Sequence, residues 1–245
     1  MEALLNHFSS QFYTDLIVFI LAIIALSISI INRDKHYLLR LFPYYFIAYI
    51  ILILILFIHT IFFLDSPLSQ KMMQNIDGCS DYIFTLIEFV IFMHFLYNII
   101  SSTKRKKIMI FLIILFLVLY VFYFAKDLLI YRIIRPDTVT IVYTLESTIL
   151  LIPSLFYYFQ LFTKPPTINL IKESSFWVVT GIFFSMICSL PYCIIENYMR
   201  KNNFEVATQL FSIFYVLYSL LFLMIIKAYS CENNAVKYEL NAKLK

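Results

Sequence analysis

With 62% of its 245 residues hydrophobic and only 14% charged, this chain cannot build a water-facing surface, because soluble domains carry about a quarter charged residues. Its net charge of +4 sits in short segments between apolar blocks. No basic region interleaved with aromatics stands clear of those blocks, so nucleic-acid binding has no footing. The blocks are long enough for a hydrocarbon core about 30 Å thick, which takes roughly 20 helical residues to cross. They are continuously apolar, not alternating, which excludes membrane strands. The predicted class is all-α: a polytopic transmembrane seven-helix bundle, N-terminus outside and C-terminus cytoplasmic.

The first block, 13–31, follows MEALLNHFSSQFYTD. That segment lacks a basic n-region, and no small-residue cleavage site comes after the block, so it reads as a retained span and not a signal peptide. NRDKHY leads to a second block, 41–64, with His59 near its outer end. LDSPLSQKMMQNIDGCSD then reads as a polar connector before block three, 82–100, which carries Glu88, His94 and Asn98. Lys104 to Lys107 form a basic run of the kind that anchors to lipid headgroups, and block four follows at 108–125. Block five, 138–162, holds Glu146 and Pro153. After TKPPTINLIKESS comes block six, 175–196, with Gly181, Ser185, Ser189 and Pro191; block seven, 204–226, contains Gln209. Residues 1–227 thus make up the bundle and 228–245 a short cytoplasmic polar tail. No connector is long enough for a folded domain.

Orientation follows from lysine and arginine placement. With the N-terminus outside, thirteen face the cytoplasm: Arg33, Lys35, Arg40, Lys104, Arg105, Lys106, Lys107, Lys164, Lys172, Lys227, Lys237, Lys243 and Lys245. Six lie outside: Lys71, Lys126, Arg132, Arg135, Arg200 and Lys201. That asymmetry obeys the positive-inside rule. The cysteines, Cys79, Cys188, Cys193 and Cys231, show no CxxC and read as small apolar residues, with a Cys79–Cys193 disulfide as the alternative.

An ionisable residue inside a span is a functional-site hypothesis by default, because a charge at the bilayer centre costs about 2.5–3.5 kcal/mol on insertion scales. His59, Glu88, His94 and Glu146 qualify. His59, Glu88 and Glu146 all fall roughly 8–12 Å below the outer edge, at about 1.5 Å per residue. Gln209 and Ser189 share the layer. Asp81, Thr85 and Glu88 form one helical stripe, and Tyr143, Glu146, Pro153 and Tyr157 another. The expectation is an outward-opening pocket of His59, Glu88, Glu146, Ser189 and Gln209 for a small ligand or cation. Two carboxyls so placed do not both ionise unless a cation or His59 lies between them. The alternative is a polar layer that only fixes packing. His94 and Asn98 read as a secondary polar pair bonded between helices. Gly181, Ser185 and Ser189 are small residues four apart, which suit close helix packing.

Catalytic signatures are missing. There is no HExxH and no GxSxG, and His7 and His36 lie outside the spans. Lys227, at the inner end of its span, is misplaced for a retinal. No Gly-rich phosphate loop exists, no cofactor is implied, and the chain does not read as an enzyme. A metal at a His/Glu/Glu set stays open.

The runs DYIFTLIEFVIFMHFLY, VYTLESTILLIPSLFYYFQLF and SSFWVVTGIFFSM resemble a group of uncharacterised bacterial inner-membrane proteins. Those are seven-span chains with a glutamate in spans three and five and a Phe-Trp pair opening span six, here Glu88, Glu146, Phe176 and Trp177. The resemblance implies a multi-pass protein of the bacterial inner membrane and suggests a link to signalling; it carries no catalytic role. The expected function is therefore a receptor-like or accessory signalling component coupled to a cytoplasmic partner. The alternatives are a transporter or channel for a small cation or metabolite, and a membrane enzyme or pore-forming effector. The oligomeric state is left open.

Overall fold

The computed structural model describes residues 2–33, 37–62, 67–163, 170–202 and 204–231, with side chains from residue 16 onward except at 56, 59–62, 67–74, 196–197 and 200–213. Among these residues the chain forms seven long helices and no strand. They are α1 (Glu2–Ile31), α2 (Phe42–Phe62), α3 (Pro67–Ile99), α4 (Thr103–Lys126), α5 (Pro136–Thr163), α6 (Ser174–Asn202) and α7 (Phe204–Ser230). Five segments are long and apolar enough to cross a membrane: Tyr37–Ile55, Asn75–Ile99, Thr103–Tyr131, Pro136–Thr163 and Ser174–Ile195. Leu16–Ile31 and Phe214–Tyr229 are shorter apolar stretches within the described parts of α1 and α7.

Two connectors of the sequence reading are helix. LDSPLSQKMMQNIDGCSD is mostly the first part of α3, which starts at Pro67 and not at 82. Proline suits a first helical position, since the N–H it lacks would have no partner there. Gln, Lys and Met are good helix formers, and polarity does not stop a helix outside hydrocarbon. The segment is also docked: the backbone N–H of Ile134 donates to Asn75 Oδ1 at 2.9 Å. Likewise the basic run 104–107 is the first turn of α4, where the Lys106 N–H donates to the Ser102 carbonyl at 3.0 Å. Residues 232–245 of the expected tail lie outside the described residues.

Six helices close a ring in the order α1, α2, α3, α5, α6, α7, and α7 returns to α1. α4 packs outside the ring, against α5 and α3. Its outer side bares Phe111, Val118, Val121 and Phe122, each 58–64% exposed. Such a surface is costly in water and neutral against lipid chains. Inside the ring the core is aromatic. Tyr49 meets Phe222 edge-on with centroids 4.9 Å apart, Tyr45 lies 5.1 Å from Phe92, and Phe42 meets Phe95 at 5.6 Å. These are the separations at which ring quadrupoles attract.

Both glycines mark close approaches. A Cβ at Gly78 would come within 2.8 Å of Ile134 Cβ, and one at Gly181 would stand 3.0 Å from Leu221 Cδ1 and 3.2 Å from Met224 Cβ. Gly78 therefore sets how tightly α3 meets the turn before α5, and Gly181 how tightly α6 meets α7. Gly78→Ala and Gly181→Leu should each lower stability by about 1–3 kcal/mol through overpacking. Unfolding of the purified variants in detergent measures this, and unchanged stability in either would disprove the contact.

Candidate functional site

Glu88 on α3 points into the ring and is 1% exposed. Both of its oxygens accept from phenols. Tyr45 of α2 donates to Oε1 at 3.4 Å, and Tyr218 of α7 donates to Oε2 at 3.2 Å. Glu146 on α5 is 2% exposed and lies close enough to Glu88 for the charge on one to bear on the other. Its Oε1 is buried without a hydrogen-bond partner among the described residues. Next to it the hydroxyls of Ser147 (α5) and Ser189 (α6) share a hydrogen bond of 3.0 Å, and Ser189 also donates to the Met186 carbonyl at 3.0 Å.

These groups surround one small cavity of about 10 Å³, lined by Glu88, Tyr143, Glu146, Ser147, Ser185, Ser189 and Tyr218 together with Met186, Cys193 and Phe214. That is close to the least space that one water needs. In this conformation the cavity suits an occupant the size of a water or a bare ion, not an organic molecule.

Three of the five expected pocket residues, Glu88, Glu146 and Ser189, meet here. His59 and Gln209 lie on α2 and α7, with side chains outside the described residues. The stripe of Gly181, Ser185 and Ser189 is buried along its length, with Gly181 against α7 and both serines at the cavity.

His94 and Asn98 differ from expectation. Asn98 Nδ2 meets His94 Nε2 at 3.0 Å and donates to the His94 carbonyl at 2.9 Å, so the pair is bonded within α3 on its exposed side and does not join two helices. The tight turn between α3 and α4 explains this. Counting back from Ile99 and forward from Thr103 puts His94 level with Ile108, at the start of the apolar run of α4 and next to the basic turn. On that exposed side His94 and Asn98 partner each other and need no second helix.

Several contributors were not singled out from sequence. Tyr45, Tyr218 and Ser147 carry no distinguishing signal among 19 tyrosines and the many hydroxyls of such a chain. Asp127 was passed over as part of a polar connector, yet it is fully buried. Its carboxylate accepts from the Arg135 N–H at 3.2 Å, pairs with Arg135 Nε at 3.4 Å and takes the Thr138 hydroxyl.

Towards the Lys104 end the cavity is closed by apolar packing: Phe92, Phe95, Phe42 and Phe222 beneath Glu88, and Ile149, Leu150 and Ile182 beneath Glu146. About two helical turns further on, some 12 Å at ~1.5 Å per residue, a second polar group begins. There the Tyr157 and Ser175 hydroxyls lie 3.4 Å apart, and Ser175 donates to Glu173 at 2.6 Å. The carbonyl of Ile171 accepts from Trp177 Nε1 at 2.8 Å and from Cys231 Sγ at 3.6 Å, tying the start of α6 to the end of α7. All four cysteines are free thiols. No group of three or more His, Cys, Asp or Glu side chains among the described residues could hold a metal.

Tyr218→Phe should cost about 1–3 kcal/mol of stability, because it leaves a buried oxygen of Glu88 unpaired. Tyr45→Phe, at the longer bond, should cost less, and Tyr37→Phe, three-quarters exposed, almost nothing. Thermal unfolding in detergent ranks the three; equal effects would show that the phenols do not hold Glu88. No family model matches this chain, and no curated protein or solved structure matches it either.

Proposed function

We propose that this chain is a multi-pass protein of the bacterial inner membrane, a receptor-like or accessory component of a signalling system. In this reading the Glu88–Glu146 cavity takes a proton or small cation, and the resulting helix arrangement is read by a partner on the cytoplasmic side. One observation carries it: two buried carboxyls from different helices line one water-sized cavity that ends blindly against apolar packing. A blind site changes state without passing its occupant through. α6 supplies the coupling, since it bears Ser185 and Ser189 at the cavity and Ser175 and Trp177 at the far cluster. All seven helices cross the membrane in this reading, with Lys104 to Lys107 cytoplasmic by the positive-inside rule. The carboxylate pair also supports a second reading, cation transport, which requires the apolar floor to open.

Topology is tested by reporter fusions, which should place residue 102 inside and residue 133 outside; the reverse result overturns the orientation. For the coupling, hydrogen exchange of the protein in nanodiscs compares wild type with Glu88→Gln and Glu146→Gln, which keep shape and remove charge. Protection should change at 170–177 and 100–107, far from the substitutions. Changes confined to the immediate surroundings of the two glutamates would leave only a packing role. Cation flux through liposomes carrying the wild type, lost in either variant, would establish the transporter instead.

A further inference from the structure

The chemistry of the cavity wall narrows its occupant, on the reading that the Glu88–Glu146 cavity is a binding site. Among the described residues, and apart from one sulfur at each of Met186 and Cys193, every polar group on the wall is oxygen: two carboxyls, the hydroxyls of Ser147, Ser185 and Ser189, and the phenols of Tyr143 and Tyr218. Hard cations choose such sets, while zinc, copper and iron choose nitrogen and sulfur.

The hydrogen bonds assign the charge. Two O–H donors aimed at both oxygens of Glu88 suit a carboxylate, which only accepts. A buried negative charge needs a compensating positive one nearby. Among the described residues, no lysine, arginine or histidine lines the cavity. Glu146 lines the cavity from the other helix, and its Oε1 is buried without a hydrogen-bond partner among the described residues. A buried oxygen lone pair without a hydrogen to accept is the half of a coordination bond that the protein can supply.

Size and charge then select among the hard cations. Calcium takes 6–8 oxygens, and magnesium keeps several of its waters, for which a cavity of about 10 Å³ has no room. One monovalent ion and one proton shared by the two glutamates leave the site neutral. Potassium is the larger of the common monovalent ions and needs a wider shell.

We infer that the cavity is a site for one dehydrated sodium ion, held by Glu146 Oε1, Glu88 and the hydroxyls of Ser147 and Ser189.

The test uses the full-length protein in nanodiscs, titrated with sodium chloride against choline chloride at fixed pH and ionic strength, by calorimetry and thermal unfolding. Sodium should give a saturable binding heat and a saturable rise in Tm; choline should give neither, and potassium chloride a much weaker response. Glu146→Gln should abolish both signals. Ser189→Ala, which removes a single hydroxyl, should weaken sodium binding by about three- to tenfold, the worth of one polar contact. It also keeps the test decisive if Glu146→Gln fails to fold. No saturable sodium signal in the wild type, an equal response to potassium, or a signal that survives both substitutions overturns the inference. Sodium binding that leaves hydrogen exchange at 170–177 unaltered would uphold the ion site and sink the signalling reading. Glutamate-dependent exchange changes without sodium binding would do the opposite.

Discussion

A carboxyl group taken out of water has to be met by partners already fixed in place, and much of this bundle serves to meet Glu88. Glu88 is reached by phenols from two separate helices, α2 and α7, and it lies beside a second carboxyl from α5 and a serine pair bridging α5 and α6. Five of the six ring helices are committed to one point. The phenols are themselves part of the core. Tyr45 packs on Phe92 at 5.1 Å and on Phe222 at 6.0 Å, and Tyr218 lies 5.3 Å from Tyr49. Ring stacking therefore holds the hydroxyls that hold the glutamate. Altering a ring in the floor would move a donor at the site, which is why packing and polar chemistry cannot be varied independently here.

The same economy appears on α6. Small side chains let α6 approach α7 at Gly181, where a Cβ would press on Leu221 Cδ1 at 3.0 Å and Met224 Cβ at 3.2 Å. One and two turns on, the same stripe presents hydroxyls to the cavity through Ser185 and Ser189. α6 is thus close-packed at one level and hydrogen-bonded at another. Its other end carries Ser175, bonded to Glu173, and Trp177, bonded to the Ile171 carbonyl that Cys231, just past α7, also reaches. Displacement at the serines would be felt there, because packed interiors shift between discrete arrangements and do not deform smoothly.

What could be read from the sequence was what depends on period and on solvent. Apolar blocks of bilayer length located all seven helices, and the i, i+4, i+7 stripe of Asp81, Thr85 and Glu88 put Glu88 on an inward face. Matched depth put Glu88, Glu146 and Ser189 in one layer, and all three line the cavity. The reading failed where tertiary contacts decide. The first turns of α3 are polar, so hydropathy discards them, yet docking of Asn75 on Ile134 keeps them helical. His94 looked buried because it follows an apolar run, but the turn after Ile99 lifts it to the level of the basic residues. Tyr45 sits in the aromatic run Phe42 to Phe46, where interfacial and inward rings look alike in sequence. Only the fold separates Tyr44, which is exposed and bonded to Arg33, from Tyr45, which is buried and bonded to Glu88.

The contacts at the far end of α3 and α5 explain why the two carboxyls meet at all. α3 and α5 run in the same direction, separated by the return of α4. Their relative height is set where the Asn75 side chain takes the Ile134 N–H and Gly78 lets Ile134 close on α3. Asp127 secures that turn from the other side by binding the Arg135 N–H and the Thr138 hydroxyl, which anchors the start of α5. From Asn75 to Glu88 is thirteen residues along α3, and from Ile134 to Glu146 is twelve along the chain into α5, so both carboxyls descend about 18–20 Å from the same fixed contact at ~1.5 Å per residue. A register shift of a single turn, about 5.4 Å, would carry Glu146 past Ser189 and leave Glu88 facing Ile149 or Val142. The buried aspartate, the amide and the glycine are remote from the cavity, and they are what makes it a pair.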